Sequence, residues 1–154
     1  MNYQFMTFFI EDEVFGIDIL CVKEINESFE VTPVPLARPH VLGLINLRGQ
    51  IVTLLDLPKA LGYENCRIKD TSLIILKTNQ ELSPVALNRQ LVTHSDSVGF
   101  RVDAIGNVVT CSDAAIQSPP ANTSERVAEV LMGVVAQESR LVGILSLEKL
   151  LDRM

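Results

Sequence analysis

The sequence has few of the residues that build catalytic and metal sites. It contains no tryptophan, and only two histidines and three cysteines in 154 residues. The cysteines, Cys21, Cys66 and Cys111, are too far apart for a Cys-x-x-Cys motif, and neither His40 nor His94 has a cysteine at zinc-site spacing. An odd, dispersed set of cysteines is typical of reduced cytoplasmic thiols. We therefore expect a cytoplasmic protein without a metal site.

Positive charge is also scarce. Lys and Arg number 13 against 19 Asp and Glu, which gives a net charge of −6, and no cluster of basic residues occurs. Nucleic acids and anionic lipids both require a basic surface. The apolar start of the chain, residues 1–10, is too short and too interrupted for a signal peptide or a membrane span. These absences predict no nucleic-acid partner and no direct membrane insertion, and leave proteins or small molecules.

Motifs for catalysis are missing as well. The sequence has no glycine-rich phosphate loop, and its acidic run at 11–13 lacks the spacing of a calcium loop. Asp56 is interpreted as a helix cap, and Asp103 as an acceptor of backbone amides at a strand end. His94 beside Ser95 leaves a minor hydrolase open, although consecutive residues rarely face each other productively. We predict a protein that is not an enzyme and has no cofactor.

What the chain does contain is an internal repeat. Residues 43–61 align without a gap with residues 133–151 at an offset of 90, and Gly43 meets Gly133. At an offset of 83, Gly16 meets Gly99 and their apolar neighbours also correspond. Matching glycines and prolines favour a duplication over chance similarity. Two repeats are too few for a solenoid, so we expect two similar small units packed side by side.

Each repeat has the pattern of short strands joined by tight turns. Residues 15–19 alternate between apolar and other positions, and the apolar runs 42–47 and 51–55 flank Arg48-Gly49. This pair is typical of a hairpin turn in which glycine supplies the positive φ. Helical turns are expected over 57–61, ended by Gly62, and over 147–151, capped by Ser146. About five strands per unit suggest two small closed barrels with a groove between them.

Four segments point to a known family: Phe15–Ile25 (FGIDILCVKEI), Asn46–Val52 (NLRGQIV), Val98–Asp103 (VGFRVD) and Leu147–Leu151 (LEKLL). In this order and spacing they resemble the CheW family of chemotaxis coupling proteins, over nearly the whole chain. The resemblance implies a mainly β fold of two tandem five-stranded SH3-like barrels with short helical turns and a short C-terminal helix. Residues 1–154 would form one CheW-like domain, with a first barrel over 11–70 and a second over 1–10 and 71–154.

The resemblance also implies a function. Such a protein is a non-enzymatic adaptor that couples the cytoplasmic tip of chemoreceptors to the regulatory domain of the histidine kinase CheA. It would lie in the cytoplasm at membrane-associated receptor arrays. Two alternatives stay open: a CheW homologue of a non-flagellar pathway, such as pilus-based motility, and a small-molecule-binding β-barrel protein that uses the groove.

Six residues match the family's interaction positions. Those at receptor-binding positions are Val22, Arg48 and Val108. Those at positions near kinase or receptor contacts are Glu24, Ile25 and Gly43. Taken without the resemblance, core packing is the better interpretation of the valines and the isoleucine. A solvated turn explains the arginine as well as a binding role does.

The chain also departs from the family pattern. Thr53 replaces a usual proline, and Pro58 stands where a basic residue is frequent. The larger departure is a polar insertion, about Thr78 to Ser97, between two strands of the second repeat. We expect it to extend a hairpin or to fold over a barrel. If it covers the barrel end that contacts the kinase, assembly would differ from the family pattern.

Overall fold

The computed structural model describes residues 2–27, 29–64 and 71–153. Their ten strands are β1 (Asn2–Ile10), β2 (Glu13–Asp18), β3 (Val22–Asn26), β4 (Val41–Leu47), β5 (Gln50–Asp56), β6 (Ser72–Leu76), β7 (Val98–Val102), β8 (Ala104–Ser112), β9 (Leu131–Gln137) and β10 (Arg140–Leu145). The α-helices are α1 (Leu57–Ala60), α2 (Pro84–Asn88), α3 (Glu125–Ala128) and α4 (Leu147–Arg153). Short 3₁₀ turns cover Ile19–Cys21, Asn79–Glu81 and Asp113–Ala115. Cys66 lies outside the described residues.

The strands form two five-stranded sheets, which confirms the predicted mainly β class with short helices. The first sheet has the order β8-β1-β2-β10-β9 and the second the order β3-β6-β7-β5-β4. Among the strands described, pairing does not close either sheet into a full barrel, whereas closed barrels were expected. At the open edges, Thr32 and Gln117 each form only an isolated bridge, to Leu44 and Val134. Prolines follow both bridges, and without an N–H they cannot continue a ladder.

The sheets divide the chain differently from the predicted barrels 11–70 and 1–10 with 71–154. β1 joins the sheet that holds β8, β9 and β10, and β2 goes with it. In return, β6 and β7 of the second repeat lie in the sheet of β3, β4 and β5. The two repeats therefore exchange their first strand pairs. β1 and β2 move together because they are joined by a two-residue turn at 11–12 and pair with each other as a hairpin.

The pairing register confirms the duplication. Gly43 pairs with Leu54 in one sheet, and Gly133 pairs with Ile144 in the other, each position 90 residues on. In the parallel pairs, Leu54 faces Gly99 and Ile144 faces Gly16, which reproduces the offset of 83. Gly43 and Gly133 thus occupy equivalent backbone positions.

Both glycines are required by close packing of the backbone. A Cβ atom at Gly43 would lie 2.3 Å from the carbonyl oxygen of Thr32, and one at Gly133 would lie 2.8 Å from that of Gln117. Gly43 also has φ +151, a region that side chains disfavour. In each repeat the irregular segment before the hairpin can approach only because the strand has no side chain there.

The largest hydrophobic core lies between the two sheets. It combines first-sheet residues such as Phe8 and Ile17 with second-sheet residues such as Leu76 and Phe100, all fully or almost fully buried. Each sheet also has a smaller core of its own. These smaller cores correspond between the repeats at Ile45/Val135, Val52/Val142 and Leu54/Ile144.

The insertion folds over the shared core rather than extending a hairpin. Leu82 and Ala86 on it are buried in that core, and Ser83 caps α2 by accepting a hydrogen bond from the Ala86 amide at 3.2 Å. Its arginine, Arg89, reaches the first sheet and donates to the Asn2 carbonyl oxygen at 2.7 Å. The insertion therefore connects both sheets at one end of their interface.

The repeat equivalence predicts matched effects of adding a methyl group. Gly43→Ala and Gly133→Ala should each lower the free energy of unfolding by about 3 kcal/mol, because the new Cβ meets a carbonyl oxygen that cannot move independently of its strand. Gly49→Ala is the control: its Cβ would meet nothing within 4 Å, so only the positive φ costs, about 1 kcal/mol. Urea unfolding measures the free energy of unfolding of all three variants. A loss in Gly49→Ala as large as in the other two would contradict the packing argument.

Candidate functional site

Arg48 lies in the turn between β4 and β5. Both turn residues have positive φ, 51° at Arg48 and 88° at Gly49. The sequence predicted a positive φ for Gly49 alone, so that prediction was incomplete. The Asn46 Oδ1 atom accepts a hydrogen bond from the Gly49 amide at 2.8 Å and fixes the turn. A non-glycine residue in this region costs about 1 kcal/mol. An arginine at such a position is therefore better explained by what its guanidinium contacts.

That contact is Glu24 on β3. Arg48 Nη2 donates to Glu24 Oε2, and the two side chains form an ion pair at the surface. The Arg48 side chain is 72% exposed, so most of its planar donor set still faces solvent. The pair links the hairpin turn to the edge strand of the second sheet and holds the guanidinium in one place.

Further polar contacts connect this region to the insertion. Lys23 Nζ lies 2.6 Å from Glu81 Oε2 and 3.4 Å from Gln50 Oε1. Gln50 in turn donates to Ser97 Oγ at 2.8 Å. The strand β3, the Arg48 turn and the start of the insertion thus form one connected surface, which we call the Arg48 surface: Lys23, Glu24, Arg48, Gln50 and Glu81. The buried Ser97 supports it through Gln50.

The three apolar candidates have different environments. Ile25 is 43% exposed and Val108 is 47% exposed; they occupy equivalent positions at the offset of 83, one on each sheet. Val22 is half-buried and packs against the shared core. Ile25 and Val108 therefore present apolar surface to solvent, whereas Val22 contributes to packing.

Gly43 differs from the other candidates because it is buried. The Thr32 carbonyl oxygen occupies the space that its side chain would fill. The structure thus brings Arg48 and Glu24 into direct contact, places Ile25 next to Glu24 on β3, and puts Val108 on the other sheet. Gly43 supports the hairpin from inside.

Sequence reasoning missed a buried ion pair between β5 and β7, which are neighbouring strands of the second sheet. Arg101 on β7 is 3% exposed and its Nη1 lies 3.0 Å from Asp56 Oδ1. Asp56 precedes α1 but its side chain makes no cap hydrogen bond, so the predicted cap was wrong; the carboxylate binds the guanidinium instead. Asp103 does accept a backbone amide, that of Glu11, at 2.6 Å, as predicted. An arginine within the apolar run 98–102 was the available signal.

The remaining candidates for chemistry have structural environments. His94 Nδ1 accepts a hydrogen bond from the Asp96 amide at 2.9 Å. Burial raises the pKa of Cys21 to about 12, so that thiol stays protonated at neutral pH. Within the residues described, no group of three His, Cys, Asp or Glu side chains could hold a metal ion. No helix in this part of the chain is long and apolar enough to cross a membrane.

Comparison with known proteins identifies relatives over almost the whole chain. The sequence matches the CheW-like domain over residues 4–154. It is 30% identical over 149 residues to the chemotaxis protein CheW of Treponema pallidum, covering 97% of this chain and 82% of the relative. It is 27% identical over 148 residues to that of Bacillus subtilis, covering 96% and 86%.

The fold is also found among solved structures. The scaffolding protein TtCheW from Thermoanaerobacter tengcongensis superimposes with a TM-score of 0.74 at 24% identity, covering 94% of this chain and 89% of that one. At this identity the likeness concerns the fold. It agrees with the two-sheet architecture described above.

The half-buried position of Val22 predicts that it and Ile25 respond differently to a charge. Val22→Asp should lower the free energy of unfolding by about 1–3 kcal/mol, because a carboxylate packed against the shared core is desolvated without a partner. Ile25→Asp should change it by less than about 0.5 kcal/mol, as for most exposed positions. Thermal melts of both variants decide the matter. A Val22→Asp variant as stable as the parent would place Val22 among the surface residues.

Proposed function

The chain belongs to the CheW-like domain family, and from this membership we propose that it is a non-enzymatic adaptor in bacterial chemosensory signalling. In this role it couples the cytoplasmic tips of chemoreceptors to the regulatory domain of the histidine kinase CheA. It works in the cytoplasm, at membrane-associated receptor arrays. The finer choice between a flagellar and a pilus-type pathway depends on which receptor it binds.

One observation carries the proposal: the family match runs over residues 4–154 and so includes both repeats and the Arg48 turn. The relatives are named chemotaxis proteins, and the structural neighbour is named a scaffolding protein. An adaptor must expose binding groups on a rigid frame. Surface groups held by a packed two-sheet core meet that requirement.

Two kinds of contact support binding of a helical receptor tip. Val108 and Ile25 supply exposed apolar surface, which suits the apolar face of an amphipathic helix. Arg48 supplies a planar guanidinium that can donate several hydrogen bonds in a fixed geometry. Its ion pair with Glu24 orients the group before the partner arrives, which reduces the entropy lost on binding. Glu24 also places a carboxylate beside Ile25.

The first prediction of this proposal concerns Arg48. Arg48→Lys should impair receptor-stimulated kinase phosphorylation, and Arg48→Ala should impair it further, because lysine offers a flexible point charge in place of a planar donor set. Neither change should lower the melting temperature appreciably, since an exposed ion pair is worth about 0–1 kcal/mol. The assay uses arrays reconstituted from the cognate receptor and kinase, with a melting curve for each variant.

Glu138→Ala is the matched control. Glu138 is the equivalent turn residue of the second repeat and has a similar positive φ of 55°, so its removal reproduces the backbone change without touching Glu24. It should leave coupling intact. If Arg48→Ala couples receptor to kinase as well as the parent does, Arg48 is an ordinary solvated turn residue. If the melting temperature of Arg48→Ala falls strongly, Arg48 has a structural role instead.

The second prediction concerns Val108. Val108→Asp should weaken receptor binding by about ten- to hundredfold, corresponding to about 1–3 kcal/mol, because the new carboxylate loses its water on docking. Stability should be unaffected, since the position is exposed. The measurement is the dissociation constant for the receptor's cytoplasmic fragment. Leu36→Asp, at a fully exposed loop position, adds the same charge as a control and should bind like the parent. Equal affinities of the two variants would remove Val108 from the receptor surface.

A further inference from the structure

A cavity of about 240 Å³ lies between the insertion and the first sheet. Its apolar walls include Phe5, Leu91, Met132 and Ile144, and its polar lining includes Asp18 and Arg89. Because the insertion supplies one wall, this cavity depends on the segment that departs from the family pattern. It lies apart from the Arg48 surface and is not used by the proposed adaptor function.

Asp18 is the polar group that makes the cavity chemically specific. It is 8% exposed, and its Oδ1 accepts a hydrogen bond from the Leu20 amide at 3.0 Å. Its Oδ2 lies 3.7 Å from Arg89 Nη1, too far for a hydrogen bond, and takes none from other described residues. Burial raises the pKa of this carboxyl group. Because Asp18 lines the cavity, a donor placed there can form a hydrogen bond with this oxygen.

The other repeat shows what this position accommodates. The offset of 83 relates Asp18 to Arg101, and the offset of 90 relates Ser146 to Asp56. In the second sheet these positions hold the buried Arg101–Asp56 ion pair, at 3.0 Å. In the first sheet the carboxylate of Asp18 occupies the position equivalent to Arg101. The neutral Ser146 occupies the position equivalent to Asp56, on the cavity wall. The first sheet therefore retains the anion of the pair, while its cation is not supplied at hydrogen-bond distance.

Arg89 forms an ion pair with Asp18 at 3.7 Å but does not donate a hydrogen bond to it, because other groups hold the guanidinium. Its Nη2 donates to the Asn2 carbonyl oxygen at 2.7 Å, and its guanidinium carbon lies 4.9 Å from the centre of the Tyr3 ring. The charged side chains lining the cavity are two carboxylates, Asp18 and Glu148, and this one guanidinium. The lining as a whole carries one net negative charge, although Glu148 is exposed to solvent.

We propose that this cavity binds a small organic monocation, a primary amine with an apolar body, whose ammonium group donates to Asp18 Oδ2. The apolar body contacts Phe5, Leu91 and Met132. The size is that of a small metabolite or fragment, since the volume is below the usual range for drug-sized ligands. Occupation would connect the insertion to the first sheet through the ligand.

Benzylamine is the probe, and benzyl alcohol is the matched neutral compound. In a titration of the ¹⁵N-labelled full chain, benzylamine should shift the amide signals of Leu20 and of residues 90–92, with a dissociation constant on the order of 1 mM for a ligand of this size. Benzyl alcohol should bind at least tenfold more weakly. Absence of shifts at these amides, or equal binding of the two compounds, would overturn the proposal.

Three variants locate the site. Asp18→Asn keeps an oxygen for the Leu20 amide but removes the charge, and should weaken benzylamine binding at least tenfold. Met132→Trp, at an exposed position on the cavity wall, should fill the cavity and also abolish binding, which provides a second test if Asp18→Asn fails to fold. Asp96→Asn removes a carboxylate from the insertion outside this cavity and should bind like the parent. Unchanged affinity in both Asp18→Asn and Met132→Trp would place the amine elsewhere.

Discussion

The exchange of strand pairs between the two repeats is the constraint on which the rest of the structure depends. Each sheet takes β1 and β2, or β6 and β7, from one repeat and its other three strands from the other. Neither repeat can therefore complete a five-stranded sheet from its own residues. The strands that cross between repeats also carry Phe8, Ile17 and Phe100 into the shared core. Folding must bury this core and form both sheets together, so the protein behaves as one cooperative unit rather than two independent barrels.

This constraint separates two uses of arginine. Arg101 is buried and its charge is matched by Asp56 at 3.0 Å; removing either partner would leave an uncompensated charge inside the protein, which is strongly destabilising. Arg48 is exposed and paired with Glu24 at the surface, where water screens the charge and the ion pair contributes little to stability. Because the fold does not depend on Arg48, its guanidinium is available to a partner. The two arginines thus differ in role because they differ in burial: Arg101 is structural, and Arg48 is accessible.

The sequence predicted the repeat, the hairpins and most apolar positions because these depend on local patterns. The offsets of 90 and 83 correctly paired Gly43 with Gly133 and Gly16 with Gly99. It did not predict which sheet β2, β6 and β7 join, since strand exchange is a property of long-range pairing that leaves no local signal. The open edges were missed because the bridges at Thr32 and Gln117 are isolated contacts.

Individual side chains were harder to predict than backbone positions. Asp56 has the sequence context of a helix cap, and only the approach of Arg101 from another strand redirects its carboxylate. For the candidate site, the pattern identified Arg48 and Glu24 but not their mutual contact. It also left Val22 and Val108 alike, although burial distinguishes them. In each case the missing information was a tertiary neighbour.

Duplication explains why two such similar halves can serve different purposes. The backbone positions correspond in register, so a side chain that changes in one repeat meets the same geometry with different chemistry. At the pair of positions Asp56/Ser146 and Arg101/Asp18, one half has an internal ion pair and the other a buried carboxylate at a cavity. The insertion increases this difference, because it covers the interface at one end only and contacts β3 through Glu81. The two sheets thus share a scaffold and differ in a few buried charges and in one added segment.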